Sequence, residues 1–175
     1  MGVRHNYVAQ CQPVSRLDSA IRRLEAQRDC LALAADMIKS VNGPVLELGL
    51  GNGRTYDHLK TILPEREIFV FDRQLAAHPD CLPDEAHAFV GDFSDTLPAA
   101  LDRTGALAAL AHCDTGSGDK AATTAQAATL IDPVNKLVCS GGVIVSDQEF
   151  SCPNWTSVAL PQGVATGRYY IYLKQ

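Results

Sequence analysis

The sequence has no run of about 18 apolar residues, the least that crosses a bilayer. Its first ten residues, with Arg4, His5 and Asn6, hold no apolar secretory core. Neither a membrane span nor an export signal is expected, and the chain reads as soluble and cytoplasmic. The six cysteines (Cys11, Cys30, Cys81, Cys113, Cys139 and Cys152) form no Cys-x-x-Cys pair and have no histidine at zinc-ligand spacing. They read as reduced, mostly buried thiols. Basic runs are missing as well: 15 Lys and Arg stand against 20 Asp and Glu, a net charge of −5, which argues against a nucleic acid partner.

No internal repeat or low-complexity linker breaks the 175 residues, and 46% of them are apolar. One domain, 1–175, is expected, with a core that needs no staples. Leu17, Ile21, Leu24, Leu31, Ala34, Ala35 and Ile38 recur at helical spacing after Ser15 and Asp18. They predict a helix over 17–41 that Asn42-Gly43-Pro44 stops. Short apolar stretches at 45–48, 68–71, 88–90, 107–112 and 143–146 predict buried strands, although the fourth is so rich in alanine that a helix fits it equally. Helical composition at 54–63, 94–101 and 119–131 alternates with them, and Asp132-Pro133 reads as the start of a further helix. The alternation predicts an α/β fold. Near the end, 157–160 and 168–173 flank Pro161-Gln162-Gly163, and Tyr169, Ile171 and Leu173 alternate with Tyr170 and Tyr172 as in an antiparallel pair.

The chemistry is concentrated in Glu47-Leu48-Gly49-Leu50-Gly51-Asn52-Gly53-Arg54-Thr55, where a buried strand enters three alternate glycines and then a helix. Glycine there removes side chains that would block a ligand's approach, and the helix start presents N–H groups to whatever fills the gap. Arg54 stands where a dinucleotide fingerprint needs its last glycine, which disfavours pyrophosphate. About 20 residues on, Ile68-Phe69-Val70-Phe71-Asp72-Arg73 ends a second strand with a carboxylate suited to a ribose diol. Taken singly, the glycine turn and Asp72 each have a plain structural alternative, a turn without ligand and a turn cap.

Glu47-Leu48-Gly49-Leu50-Gly51-Asn52-Gly53 resembles the first motif of class I S-adenosylmethionine-dependent methyltransferases, an acidic residue followed by G-x-G-x-G. Gly91-Asp92-Phe93 resembles their adenine motif, in which the Asp receives the exocyclic amine and the neighbouring apolar residue covers the ring. The resemblance covers 45–146. It implies a Rossmann-like three-layer sandwich whose mostly parallel seven-stranded sheet ends in an antiparallel hairpin, with 44–175 as the core and 1–43 as a helical lid segment. It also implies S-adenosyl-L-methionine as cofactor, held by Glu47, Gly49, Leu50, Gly51, Asn52, Gly53, Thr55, Asp72, Arg73, Gly91, Asp92, Phe93 and Asp114. Arg22, Arg23 or Gln27 would reach the methionyl carboxylate.

The implied activity is methyl transfer to a small molecule by in-line positioning, which needs no nucleophilic triad. Polar residues after strands four and five then become candidates. Asp114 and Asp147 are those for catalysis, and His112, Gln148 and the single Trp155 those for the acceptor. Asp114-Thr115-Gly116-Ser117 lacks the Asn/Asp-Pro-Pro-aromatic run of enzymes that methylate the amino groups of nucleic-acid bases. Asp114 with Asp147-Gln148 matches only in part the cation-holding set of catechol-type O-methyltransferases, so no metal is assigned. With no long insertion to build an acceptor domain, the opening helix or a second subunit would roof the pocket, and a homodimer is compatible. The alternatives are an NAD-dependent oxidoreductase, which the glycine spacing and the small size oppose, and a non-catalytic S-adenosylmethionine sensor or partner subunit.

Overall fold

The structure, a computed structural model, describes residues 14–116 and 119–175. Cys11, Ser117 and the start of the 1–43 segment lie outside the described residues. The apolar stretches become β1 (Val45–Leu48), β2 (Ile68–Asp72), β3 (Ala88–Val90), β4 (Ala108–Cys113), β5 (Val138–Ser146), β6 (Trp155–Ser157) and β7 (Tyr170–Lys174). They form one sheet in the order β3-β2-β1-β4-β5-β7-β6. Strands β1 to β5 run parallel, while β7 is antiparallel to both β5 and β6. The expected α/β sandwich is therefore what the chain forms.

The alanine-rich segment is a strand because it lies between β1 and β5 with every residue buried, and position in the sheet overrides its weak helical propensity. Strand β5 starts at Val138, earlier than expected, and reaches Ala108 across a register shift that two glycines, Gly141 and Gly142, accommodate. The last pairing also differs: β6 is Trp155–Ser157, held by Trp155 opposite Lys174, while most of 158–169 leaves the sheet.

Around the sheet lie α1 (Arg16–Met37), α2 (Arg54–Ile62), α3 (Phe93–Thr96), α4 (Ala100–Thr104) and α5 (Lys120–Leu137). The helix expected over 94–101 is split into α3 and α4. The new helix start expected at Asp132-Pro133 does not occur, since α5 runs through Pro133. Proline removes one backbone bond there. Leu130, Val134 and Leu137, spaced to one face and buried, keep the helix continuous.

Two apolar layers enclose the sheet. On one face α5 packs over Leu46, Phe71, Phe89 and Ile144. On the other, α1 and α2 cover Val45, Val70, Leu110, Val143 and Val145. Helix α1 is thus more than a lid: Ala26, Cys30, Leu31, Ala34 and Ile38 are core, whereas Leu17, Ile21 and Leu24 in its first half are exposed. The Arg66 guanidinium ties its end to the sheet by donating to the carbonyls of Gly43 at 2.7 Å and Ile38 at 2.9 Å. Among the described residues the cysteines are free thiols, with Cys30 and Cys113 buried but Cys81, Cys139 and Cys152 partly exposed. Burial pushes the Cys30 thiol up to about 11. No described helix is long and apolar enough to cross a membrane.

Leu31 is fully buried, so Leu31→Ala is expected to cost about 2–5 kcal/mol in urea unfolding. A loss below about 1 kcal/mol would mean that α1 docks outside the cooperative core.

Candidate functional site

The order of the sheet reverses between β1 and β4, and the crevice at their carboxyl ends is where an open α/β sheet takes a ligand. Gly49 leaves β1 at φ +91°, and a Cβ there would stand 2.2 Å from the Asp114 carbonyl oxygen. A side chain cannot be accommodated. Gly51, at φ +51°, faces open space, and α2 starts beyond Gly53 with no side-chain cap. The Asp72 carboxylate braces this loop from below: Oδ2 accepts from the Leu50 N–H at 2.7 Å and from Gly51 at 3.3 Å. Oδ1 takes only a long bond from the Gln74 N–H, 3.3 Å.

Two cavities flank the loop. One, of about 250 Å³, is lined by Arg23, Gln27, Gly49, Leu50, Gly51, Asn52, Arg54, Thr55, Asp114 and Gly116 among others. The second, of about 390 Å³, is lined by Gly49, Gly51, Asp72, Arg73, Gln74, Phe93, Asp114, Thr115, Gly116 and Gln126. The shared residues Gly49, Gly51, Asp114 and Gly116 make them two ends of one groove, whose size falls in the range of about 300–1,000 Å³ usual for small-molecule sites.

At the first end, Arg23 Nη2 reaches both oxygens of Asp114, at 2.8 and 2.9 Å, and the Gln27 amide donates to Asp114 Oδ2 at 2.5 Å. Burial disfavours the Arg23 charge, but Asp114 outweighs it and holds the guanidinium pKa above its ordinary value. Under Gly116 lies Asp147. Its Oδ2 accepts from the Gln148 amide at 3.1 Å, while Oδ1 is buried without a hydrogen-bond partner. Burial first, then the neighbouring Asp114 charge, raise the Asp147 carboxyl above the usual range.

Several expected contacts fall elsewhere. Glu47, expected on the cofactor, is fully buried: it accepts from the Thr55 hydroxyl, and its Oε2 lies 2.6 Å from His112 Nδ1. His112, expected at the acceptor, is likewise inaccessible, because β4 continues through Cys113 and turns the imidazole toward β1, where Glu47 is its register partner. Trp155 is a core residue, 8% exposed, packed on Phe150 and Tyr172 with its indole N–H donated to Asn135 Oδ1 at 2.9 Å. Asp92 and Gly91 line neither cavity; Asp92 Oδ1 lies 2.5 Å from Arg73 Nε. Gln148 turns its amide back on Asp147. Among the described residues no group of three or more His, Cys, Asp or Glu is placed to hold a metal.

Two side chains escaped the sequence. Tyr169, fully buried, holds His112 Nε2 at 2.8 Å, and nothing local marks a contact between residues so far apart in the chain. Gln27 was expected to reach a ligand carboxylate, and here it binds Asp114. A polar residue on the buried face of α1, beside Cys30 and Leu31, was the available signal.

The profile of the S-adenosyl-L-methionine methyltransferase family matches residues 14–174. The crystal structure of an S-adenosyl-L-methionine methyl transferase from Silicibacter pomeroyi DSS-3 is 41% identical, covers 92% of this chain and 99% of its own, and superposes with a TM-score of 0.87. The apo structure of CalS11, a TDP-rhamnose 3'-O-methyltransferase, is 17% identical with a TM-score of 0.58 over 92% of this chain and 81% of its own. MycE methyltransferase in complex with magnesium, S-adenosylhomocysteine and mycinamycin VI is 16% identical with a TM-score of 0.57 over 89% of this chain and 47% of its own. The last two show the fold alone. No curated protein matches the chain.

Burial works against a charged His112, but the Glu47 carboxylate and its hydrogen bond outweigh it and raise the imidazole pKa above 6.5. The folded protein then holds a proton that the unfolded chain releases near 6.5. That contribution to stability is whole below about 6.5 and is lost as pH rises through the folded value. Urea unfolding from about pH 6 to 9 is expected to show stability falling in this window, with a flatter profile and a loss of about 3–5 kcal/mol at the acid end for His112→Gln. Equal slopes for the two proteins would show that His112 is neutral in the fold.

Proposed function

The chain belongs to the S-adenosyl-L-methionine methyltransferase family, and on that premise we propose that its groove holds the cofactor along the glycine loop and methylates a small-molecule acceptor. The enzyme is a methyltransferase and its cofactor S-adenosyl-L-methionine, which decides against the nicotinamide alternative. The open backbone at Gly51 between two cavities, with Asp72 on one side and the Arg23–Asp114 pair on the other, carries the proposal.

The residues fit that cofactor. Asp72, Arg73, Gln74 and Phe93 form the wider end, with a carboxylate for the ribose diol and an aromatic ring for adenine. Arg23 and Asp114 present opposite charges within 3 Å at the narrower end, which suits an amino-acid zwitterion whose carboxylate meets the guanidinium and whose ammonium meets the carboxylate. The uncapped start of α2 adds further donors. Bound there, the cofactor supplies a methyl group on a positively charged sulfur. Holding acceptor and cofactor in line is the protein's main contribution, worth up to roughly 7–11 kcal/mol of barrier.

An acceptor hydroxyl or amine must also lose a proton. Asp147 is suited to take it: it lies at the carboxyl end of β5, its Oδ1 has no partner, and its raised pKa makes it a stronger base than an ordinary carboxylate. A small molecule is the acceptor that a groove of this size admits.

In calorimetry, Asp72→Asn is expected to weaken S-adenosylhomocysteine about 10-fold, with no heat from NAD; an unchanged affinity would remove Asp72 from the site. With labelled cofactor and a small-metabolite extract, Asp147→Asn should lower methyl transfer about 100-fold or more while S-adenosylhomocysteine affinity stays within about 2-fold. Undiminished transfer would rule Asp147 out as the base.

A further inference from the structure

Methyl transfer as derived above leaves Glu47, His112 and Tyr169 without a task, although all three are polar and fully buried. They are also connected. The Thr55 hydroxyl, on the groove wall at the start of α2, donates to Glu47. Glu47 Oε2 meets His112 Nδ1 at 2.6 Å, and His112 Nε2 meets the Tyr169 hydroxyl at 2.8 Å. That hydroxyl in turn hydrogen-bonds the Gln27 side chain, and Gln27 donates to Asp114 Oδ2 at 2.5 Å. A continuous polar path therefore passes beneath the glycine loop from one wall of the groove to the other, through α2, β1, β4, the residue before β7, and α1.

The path reaches α1 where packing gives out. Toward the carboxyl end, Ala26, Cys30 and Leu31 are buried, whereas Leu17, Ile21 and Leu24 stand 42–70% exposed. Gln27 is thus at the limit of the part of α1 that the core holds, and its amide would swing freely without a fixed partner below it.

We propose that Tyr169, supported by His112 and Glu47, is a positioning residue for the amino-acid end of the cofactor: its hydroxyl fixes the Gln27 amide, which holds Asp114 in place beside Arg23. This rests on the assignment of that end of the cofactor to Arg23, Gln27 and Asp114. Shape alone does not require the hydroxyl, since the Tyr169 ring already packs along His112, with centroids 6.0 Å apart and planes at 22°. Phenylalanine would preserve that contact and remove only the link to Gln27.

The test compares two ligands on Tyr169→Phe. S-adenosylhomocysteine carries the amino-acid end; 5'-methylthioadenosine has the same nucleoside without it. Affinity for the first should fall about 3- to 10-fold, the worth of one net hydrogen bond, and that for the second should not change. Equal losses for both ligands would indicate general loosening, and no loss for either would show that the hydroxyl is idle; each overturns the proposal. Should Tyr169→Phe fail to fold, His112→Gln is measured with the same pair and the same expectation. Gln27→Ala separates the two levels. If it leaves S-adenosylhomocysteine binding intact, the amino-acid end lies elsewhere and the proposal falls with that assignment. If it weakens binding while Tyr169→Phe does not, only the positioning role fails.

Discussion

A carboxylate and an imidazole, Glu47 and His112, face each other across β1 and β4 with no solvent contact. Charges so placed are tolerated only when each finds a partner, because desolvation costs several kcal/mol per ion. Here the partners come from every side: Thr55 from α2, Tyr169 from the approach to β7. The set fixes the separation of β1 and β4 where the order of the sheet reverses. The crevice owes its shape to that spacing, including the 2.2 Å that a Cβ at Gly49 would leave to the Asp114 carbonyl.

Recognition is consequently divided in an unexpected way. The acidic residue that opens the glycine motif serves the interior. Ligand contacts pass to the loop backbone, to Asp72 below it and to the Arg23–Asp114 pair beside it. Asp72 has two tasks, since one oxygen already braces Leu50 and Gly51 while the other makes only a long bond. Asp114 similarly joins the carboxyl end of β4 to α1. The opening helix therefore takes part in both core and site: its second half is packed in the apolar layer, and its first half brings Arg23 to the groove.

Much of this was legible in the sequence because the local signals agreed with the global fold. A buried strand, alternate glycines and a helix allow few arrangements, and Asp72 at the end of the next strand follows from parallel pairing with β1. What failed was decided by distant contacts. Asp132-Pro133 carries a valid helix-start signal, yet the burial of Leu130, Val134 and Leu137 carries α5 through it. His112 was placed at the crevice by ending its strand one residue early, and strand alternation makes such an error reverse the side a residue faces. Trp155 was taken for a substrate contact because it stands in a polar stretch, whereas Asn135, on the far side of β5, fixes its indole in the core. Tyr169 was read correctly as part of a strand pattern, but its bond to His112 has no local signature.

The central claim is that the glycine loop, framed by a Glu47 committed to the interior, receives the cofactor through Asp72 and the Arg23–Asp114 pair. A crystal structure of the complex with S-adenosylhomocysteine measures this most directly. The account predicts the ribose diol on Asp72, the amino-acid end between Arg23 and Asp114, and Glu47 still bonded to Thr55 and His112. A ligand seated away from the loop, or bonded to the Glu47 carboxylate, would contradict it.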